Sequence, residues 1–336
     1  MQANSEKTLR KNLCHKANSR GHSHGYSDSE KWVSEFAGPG DSEVGKSSST
    51  SASASSPELP SSVSVILPAL NEAGAIGRVL DEIPRDRIRA LGCDLRILVI
   101  DGNSNDETRI IAEAHGAEVI LQAGNGKGGA IRQVHEFLLD EYPAPIASPS
   151  PNSYFIIMDA DGTYPGERIV DIVKALQAGY DLVLGSRFLR KMEPGAMPYL
   201  NRVGNRVLTF GFRFLYGIWL SDVCTGMYGF SNRVLRNLTL HANGFDIEAD
   251  VFASACEMNA RMKEVPVVYR CRIGAPNLIP LRAGALIGWR ILIDRFREHN
   301  GRPLNGSFVR REFNLASPLR RRRGWGRGRE SKDARE

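Results

Sequence analysis

Two aspartates, Asp159 and Asp161, close an apolar run, Tyr154-Phe-Ile-Ile-Met158, and lead into Gly-Thr-Tyr-Pro165. Alternate residues of an extended chain point to the same side, so strand geometry continued past Met158 would aim both carboxylates at one spot. Two carboxylates that close repel each other unless one is protonated or a cation lies between them. Oxygen donors of this kind suit the hard divalent ions Mg²⁺ or Mn²⁺, which commonly share them with a substrate's phosphates. An Asp-x-Asp arises by chance about once in a chain of 336 residues. Its place at the end of a buried strand is therefore what gives it weight.

Other polar residues recur at the ends of apolar runs. Glu72 follows Val63-Ser-Val-Ile-Leu-Pro68-Ala-Leu70-Asn, and Asp101 closes Leu95-Arg-Ile-Leu-Val-Ile100. Arg187 follows Asp181–Leu184 and Gly-Ser. Between these runs lie helical patterns after Gly74 through Ile83, from Thr108 to His115 (with Asp106 as N-cap), from about Ala130 to Asp140 and from Glu167 to Ala178. A short strand, Glu118–Leu121, completes the series. Regular strand–helix alternation implies a mainly parallel sheet with helices on both faces, and ligands then bind at the strands' carboxyl ends.

The turn Gly124-Asn-Gly126-Lys127-Gly128-Gly129 matches G-x-G-x-x-G. That dinucleotide fingerprint belongs in the first strand–helix turn with an acidic residue about twenty positions on, and neither condition holds. A P-loop fails as well, since Gly follows Lys127. What remains is a pliant backbone with one Lys, able to approach phosphate or simply to turn.

The net charge of +6 is unevenly distributed, with the first twenty residues and the carboxyl-terminal stretch basic. Residues 1–61 are polar and Ser-rich and are expected to be disordered; His15, His22 and His24 lie there. The tail Arg320–Arg329 is strongly basic, which suits anionic lipid or nucleic acid alike. Five scattered cysteines without ligand spacing point away from structural zinc and towards a reducing compartment. No leader and no span of about twenty apolar residues is legible, so the expectation is a cytoplasmic chain. Val207–Leu220 and Leu281–Arg297 mix aromatic, aliphatic and basic residues. Both suit helices lying in a membrane interface; core packing is the competing reading, and the stronger one for the first segment.

In order, Pro68-Ala-Leu-Asn-Glu72, Asp101-Gly-Asn-Ser-Asn-Asp106, Gly126-Lys-Gly128, Asp159-Ala-Asp161-Gly-Thr-Tyr, Gly185-Ser-Arg187 and Asp222-Val-Cys-Thr-Gly226 resemble the family 2 glycosyltransferases. Within them the set is most similar to the dolichyl-phosphate hexose synthases (the dolichyl-phosphate mannose synthase type), nearest to archaeal members that use UDP-sugars. Leu200-Asn-Arg-Val-Gly-Asn-Arg206 and Gly244-Phe-Asp-Ile-Glu248 add to the match.

The resemblance implies a glycosyltransferase A-type, Rossmann-like α/β fold over residues 62–275. An amphipathic, membrane-interfacial segment is expected over 276–315 and a basic disordered tail over 316–336. It implies that Pro68, Leu70, Glu72 and Asp101, with Lys127 and Asp159, bind the nucleotide sugar, and that Asp159 and Asp161 hold Mg²⁺ or Mn²⁺. Arg187 would contact phosphate, and Arg202 and Arg206 would meet the acceptor's phosphate. Two departures stand out. Asp101-Gly102-Asn103 replaces the frequent Asp-Asp-Gly, and Thr163 stands where mannose synthases of this type carry Gln, which favours UDP-glucose or UDP-N-acetylglucosamine over GDP-mannose.

The implied reaction is metal-dependent, inverting transfer of a hexose to dolichyl or polyprenyl phosphate at the cytosolic membrane face, with no nucleic-acid partner. A lipid monophosphate is largely dianionic near neutral pH and needs no general base. An alcohol acceptor would need one, for which Asp222 and Glu248 are the candidates. The rival readings are a family 2 enzyme acting on a soluble or glycan hydroxyl, and a non-catalytic membrane adaptor with a relic fold.

Overall fold

The structure, a computed structural model, describes residues 61–141, 153–275 and 280–297. The expectations for 1–61 and 316–336 thus lie outside the described residues, apart from Ser61.

Seven strands form one sheet: β1 Ser61–Ala69, β2 Cys93–Asp101, β3 Glu118–Leu121, β4 Ser153–Met158, β5 Leu182–Ser186, β6 Met227–Ser231 and β7 Met262–Pro266. Their order is β3-β2-β1-β4-β6-β5-β7. β1 pairs in parallel with both β2 and β4. Only β6 runs against its neighbours, antiparallel to β4 and to β5. The expected mainly parallel sheet is therefore present.

The central strands are buried on both faces. Val63, Val65 and Leu67 belong to one core, with Val79 and Leu80 of α1 (Ile76–Asp81), Ala112 of α3 (Thr108–Ala114) and Val173 of α5 (Ile169–Gln177). A five-residue helix, α2 (Arg85–Arg89), adds Ile88 to the same core. On the other face Ile66, Ile157 and Phe230 meet Ile131 and Val134 of α4 (Gly126–Glu141), Leu235 of α7 (Asn232–Asn237) and Val251 of α8 (Ile247–Glu257). Near-continuous apolar strands are what such double coverage requires.

Two helix starts and the burial of one helix differ from expectation. Helix α4 begins at Gly126 rather than near Ala130, so the glycine-rich turn is its first turn. A Cβ on Gly128 would lie 2.5 Å from the Ala242 carbonyl oxygen, and one on Gly126 would strike that of Asn243. These glycines let the helix close on the 242–243 backbone. The N-cap position of α3 is Glu107, not Asp106; the Asp106 carboxylate nevertheless accepts the Thr108 N–H at 3.0 Å. The segment read with a bias towards core packing lies largely in α6 (Tyr199–Tyr216), of which only Thr209 and Phe212 are buried.

Along α6, Tyr199, Val203, Val207, Phe210 and Phe214 form an exposed stripe at helical spacing. α9 (Pro280–Phe296) packs on α6 and α8. It buries Ala283, Ile287, Ile291 and Asp294, and exposes Leu281, Trp289, Leu292 and Phe296. No described helix is long and apolar enough to cross a membrane.

Candidate active site

At the β1/β4 boundary the strand order reverses, with β1 leading to β2 on one side and β4 to β5 on the other, and such a switch point opens a crevice at the carboxyl ends. There lies a cleft of about 2070 Å³, lined at one end by Pro68, Leu70, Glu72, Lys127, Asp159 and Asp161. At the other end α6 and α9 supply Leu200, Val203, Leu208, Leu281 and Ile287.

The polar end is built by loops laced to one another. Asn71 and Asn103 both adopt left-handed backbone, at φ 57° and 64°. The Asn71 side-chain oxygen accepts the Asn105 N–H at 3.0 Å, and the Asn71 backbone N–H donates to Ser104 Oγ at 2.9 Å. Glu72 N–H donates to Thr108 Oγ1 at 2.9 Å. Asn103 thus serves the turn itself. The sole carboxylate of that motif, Asp101, is fully buried, with Oδ2 accepting the Ser104 N–H at 3.0 Å and Oδ1 left without a partner. Ile100 and Gly102 on either side of it line the cleft.

β4 ends at Met158, so Asp159 and Asp161 stand on the following loop rather than on continued strand. The loop is held as firmly as a strand would be. Asp159 N–H donates to Gly226 O at 3.1 Å, and Gly226 N–H donates to Tyr164 Oη at 2.7 Å. A Cβ on Gly226 would fall inside the Asp159 carboxylate, which explains the glycine. Asp161 Oδ1 accepts the Thr163 N–H at 3.0 Å and its hydroxyl at 2.5 Å. Thr163 is therefore the residue that orients Asp161.

Two cations interleave with the acids. Lys127 Nζ lies 2.5 Å from both Asp159 Oδ1 and Glu248 Oε1. Arg272 reaches Asp161 Oδ2 at 2.6 Å and also pairs with Glu72. Four carboxylates, Glu72, Asp159, Asp161 and Glu248, thus face two cations. Burial, opposed by Arg272 and reinforced by Asp161, raises Glu72 to about 7. Burial and then the neighbouring Asp159 raise Asp161, while the two carboxylates beside Lys127 overcome its burial and keep it protonated.

Arg187 lines the cleft but is nine-tenths buried, and its guanidinium is engaged by Asp222 at 2.7 Å through two nitrogens and by Cys224 O at 2.6 Å. Asp222 and Glu248, the two candidate bases, are thus each tied to a cation. Arg202 and Arg206 sit on α6, but the residues of that helix lining the cleft include Leu200, Asn201, Val203, Gly204 and Leu208 and neither arginine. Arg206 is exposed, with its guanidinium 5.6 Å from the Phe188 ring centre. Arg187 stands over the same ring at 6.0 Å.

Sequence reasoning missed Arg272. Backbone bonds from Arg270 N–H to Thr163 O at 2.9 Å and from Ile273 N–H to Asp161 O at 3.0 Å aim it into the cleft. The available signal was Arg270-Cys-Arg272 shortly after the end of β7, at the same sheet edge as the acids.

A family model for glycosyl transferase family 2 matches residues 64–239. The chain belongs to this family. Glycosyltransferase AglJ of Haloferax volcanii is 36% identical over 230 residues, covering 68% of this chain and 70% of that one. A dolichyl-phosphate hexose transferase of the same organism is 32% identical, covering 68% and 92%. Glucosyl-3-phosphoglycerate synthase from Mycobacterium tuberculosis, solved with Mn²⁺, UDP-glucose and phosphoglyceric acid, superposes with a TM-score of 0.52 at 22% identity, covering 71% and 81%. The transferase therefore has the glycosyltransferase A-type fold, and the expected membership of a dolichyl-phosphate sugar synthase-like group holds. The reading as a non-catalytic adaptor gives way to that of an enzyme.

Proposed function

We propose that this transferase moves a hexose from a UDP-sugar to a polyprenyl phosphate at the cytosolic face of a membrane. One observation carries the reading: a single cleft joins a carboxylate-rich end to an apolar wall continuous with exposed stripes on α6 and α9. A lipid phosphate needs both ends, whereas a soluble sugar acceptor would leave the apolar wall without a use. The related dolichyl-phosphate hexose transferase supports the same acceptor class.

On this reading Pro68, Leu70, Gly102 and the unpartnered Asp101 Oδ1 hold the nucleoside, the carboxylate accepting an N–H from the base. Asp159 and Asp161 would hold a divalent ion; the carboxylates of Glu72, Asp159, Asp161 and Glu248 outnumber the two cations beside them, and their hard oxygen donors suit such an ion. When bound, such an ion neutralises the diphosphate as it leaves. Lys127 and Arg272, already at the cleft wall, add fixed positive charge beside the same group. The acceptor phosphate oxygen attacks the anomeric carbon from the face opposite the diphosphate, the bond to the diphosphate oxygen breaks, and configuration inverts. No proton is removed from the nucleophile, which is consistent with Asp222 and Glu248 both being tied to cations. Arg202 and Arg206 remain the proposed partners of the acceptor phosphate, Arg206 from the exposed side of Phe188.

The test incubates the full chain, Mn²⁺ or Mg²⁺ and polyprenyl phosphate with labelled UDP-glucose, UDP-N-acetylglucosamine or GDP-mannose separately. Label passing into organic solvent with a UDP-sugar is the expected result. Label transferred only to a water-soluble acceptor would overturn the lipid reading, and transfer from GDP-mannose alone would overturn the donor assignment.

A further inference from the structure

Away from the cleft's acids, the described residues contain one more group able to ligate a metal: His241, Asp250 and Asp294. They come from three places in the fold. His241 lies on the loop before α8, Asp250 on α8, and Asp294 at the end of the buried stripe of α9. One ligand atom from each lies within 4.8 Å of the others.

Three observations give the cluster a purpose beyond packing. Asp250 is oriented as a ligating carboxylate usually is, with Oδ2 accepting backbone N–H groups from His241 at 2.6 Å and Ala242 at 2.7 Å. Its Oδ1 faces the His241 ring, 3.8 Å from Nδ1. Asp294 is 3% exposed, and its Oδ2 has no hydrogen-bond partner. A buried carboxylate oxygen in that state costs free energy unless something supplies positive charge. Arg290 and Arg297 approach only the other oxygen, Oδ1, at 3.4 and 3.9 Å, and Arg290 is shared with Asp246 at 2.9 Å.

We propose that His241, Asp250 and Asp294 form a second divalent-cation site, separate from Asp159 and Asp161, that fastens α9 to α8. Two carboxylates and an imidazole select a borderline transition ion such as Zn²⁺ over Mg²⁺ or Ca²⁺. Bonds of about 2.0–2.1 Å in tetrahedral geometry set ligand atoms roughly 3.3 Å apart. Side-chain rotations that close the present triangle by an ångström or so suffice, and the partly exposed His241 gives the ion its way in. The ion's task is mechanical: α9 is one wall of the acceptor end of the cleft, and fixing Asp294 fixes that wall.

The experiment counts zinc in the full-length chain after equilibrium dialysis and compares it with His241→Ala and Asp294→Asn. Histidines in the segments outside the described residues, and the cleft's own acids, are common to all three chains, so the difference belongs to this cluster. Each variant is expected to hold about one zinc equivalent less than the parent. The parent's Tm should rise roughly 5–10 °C at a hundredfold excess of Zn²⁺ over Kd, and Asp294→Asn should lose most of that rise. Equal zinc content in the three chains would overturn the site. So would a higher Tm for Asp294→Asn that is indifferent to zinc.

Discussion

The two ends of the cleft are built on opposite principles. At the nucleotide end every side-chain acid except one oxygen of Asp101 is met by a cation or an N–H, and the loops are bonded to one another. At the acceptor end large apolar side chains stand in the open, with Tyr199 80%, Phe214 77% and Leu281 76% exposed. Contiguous apolar surface on that scale marks a binding face. The contrast teaches that the donor end is organised by the protein's own charges before any ligand arrives, whereas the acceptor end is completed by its surroundings.

That contrast can be broken at its strongest point first. Asp161→Asn should lower turnover by about a thousandfold or more while the protein stays folded, because an amide cannot supply the ligand charge. Near wild-type rates at saturating donor, on a variant of unchanged Tm, would show that the paired acids are not the centre of the chemistry. Gly226→Ala should come next. The new Cβ must displace Asp159, costing roughly 1–3 kcal/mol of stability and about a hundredfold in kcat; an unchanged rate would mean that the Asp159 position is loosely defined.

The acceptor end should respond differently. Trp289→Glu or Phe214→Glu should leave nucleotide affinity and Tm nearly unchanged but weaken partitioning onto vesicles. Removing one large apolar side chain from the interface costs roughly 1.5–3 kcal/mol, about tenfold or more in binding. Vesicle sedimentation and nucleotide titration on the same sample separate the two ends, and equal loss in both assays would merge them.

The smallest effect is expected from pH. Glu72 is raised from an ordinary 4.5 to about 7, so the folded state favours its protonated form. The stability this contributes is full below pH 4.5 and is lost as pH rises to about 7. Glu72→Gln lacks this dependence, so its Tm relative to the parent should climb between pH 5 and pH 8. A difference that is flat with pH would show that Arg272 fully compensates the charge.

Much of this was legible beforehand because burial and alternation write themselves into residue type. The apolar runs ending in Glu72, Asp101 and Asp159 gave the strands, the shared edge and the acids. Three things escaped. Gly126 and Gly128 read as a flexible turn because the backbone they accommodate, at Ala242 and Asn243, is more than a hundred residues away. Arg272 was passed over because its place after β7 marks only the sheet edge, while its aim is set by tertiary backbone bonds of its neighbours to Asp161 and Thr163. The openness of α6 was misjudged because an apolar stripe has the same period whether it meets a core or a membrane.

The reversed strand β6 has a consequence for how such enzymes can diversify. β5 and β6 are hydrogen-bonded neighbours, and Thr225 Oγ donates to Gly185 O at 2.6 Å. Everything from Arg187 to Gly226, α6 included, therefore leaves the sheet and returns to it at adjacent points on one rim. Topologically it is the loop of a single hairpin, however long. Between Phe188 and Ser221 a segment anchored in that way can be lengthened, shortened or exchanged without re-threading a strand, as long as Gly226 stays against Asp159. Acceptor preference becomes a graftable trait: exchanging 188–221 between relatives, with Arg187, Asp222 and Gly226 kept, should carry the acceptor with it and leave the sugar nucleotide behind.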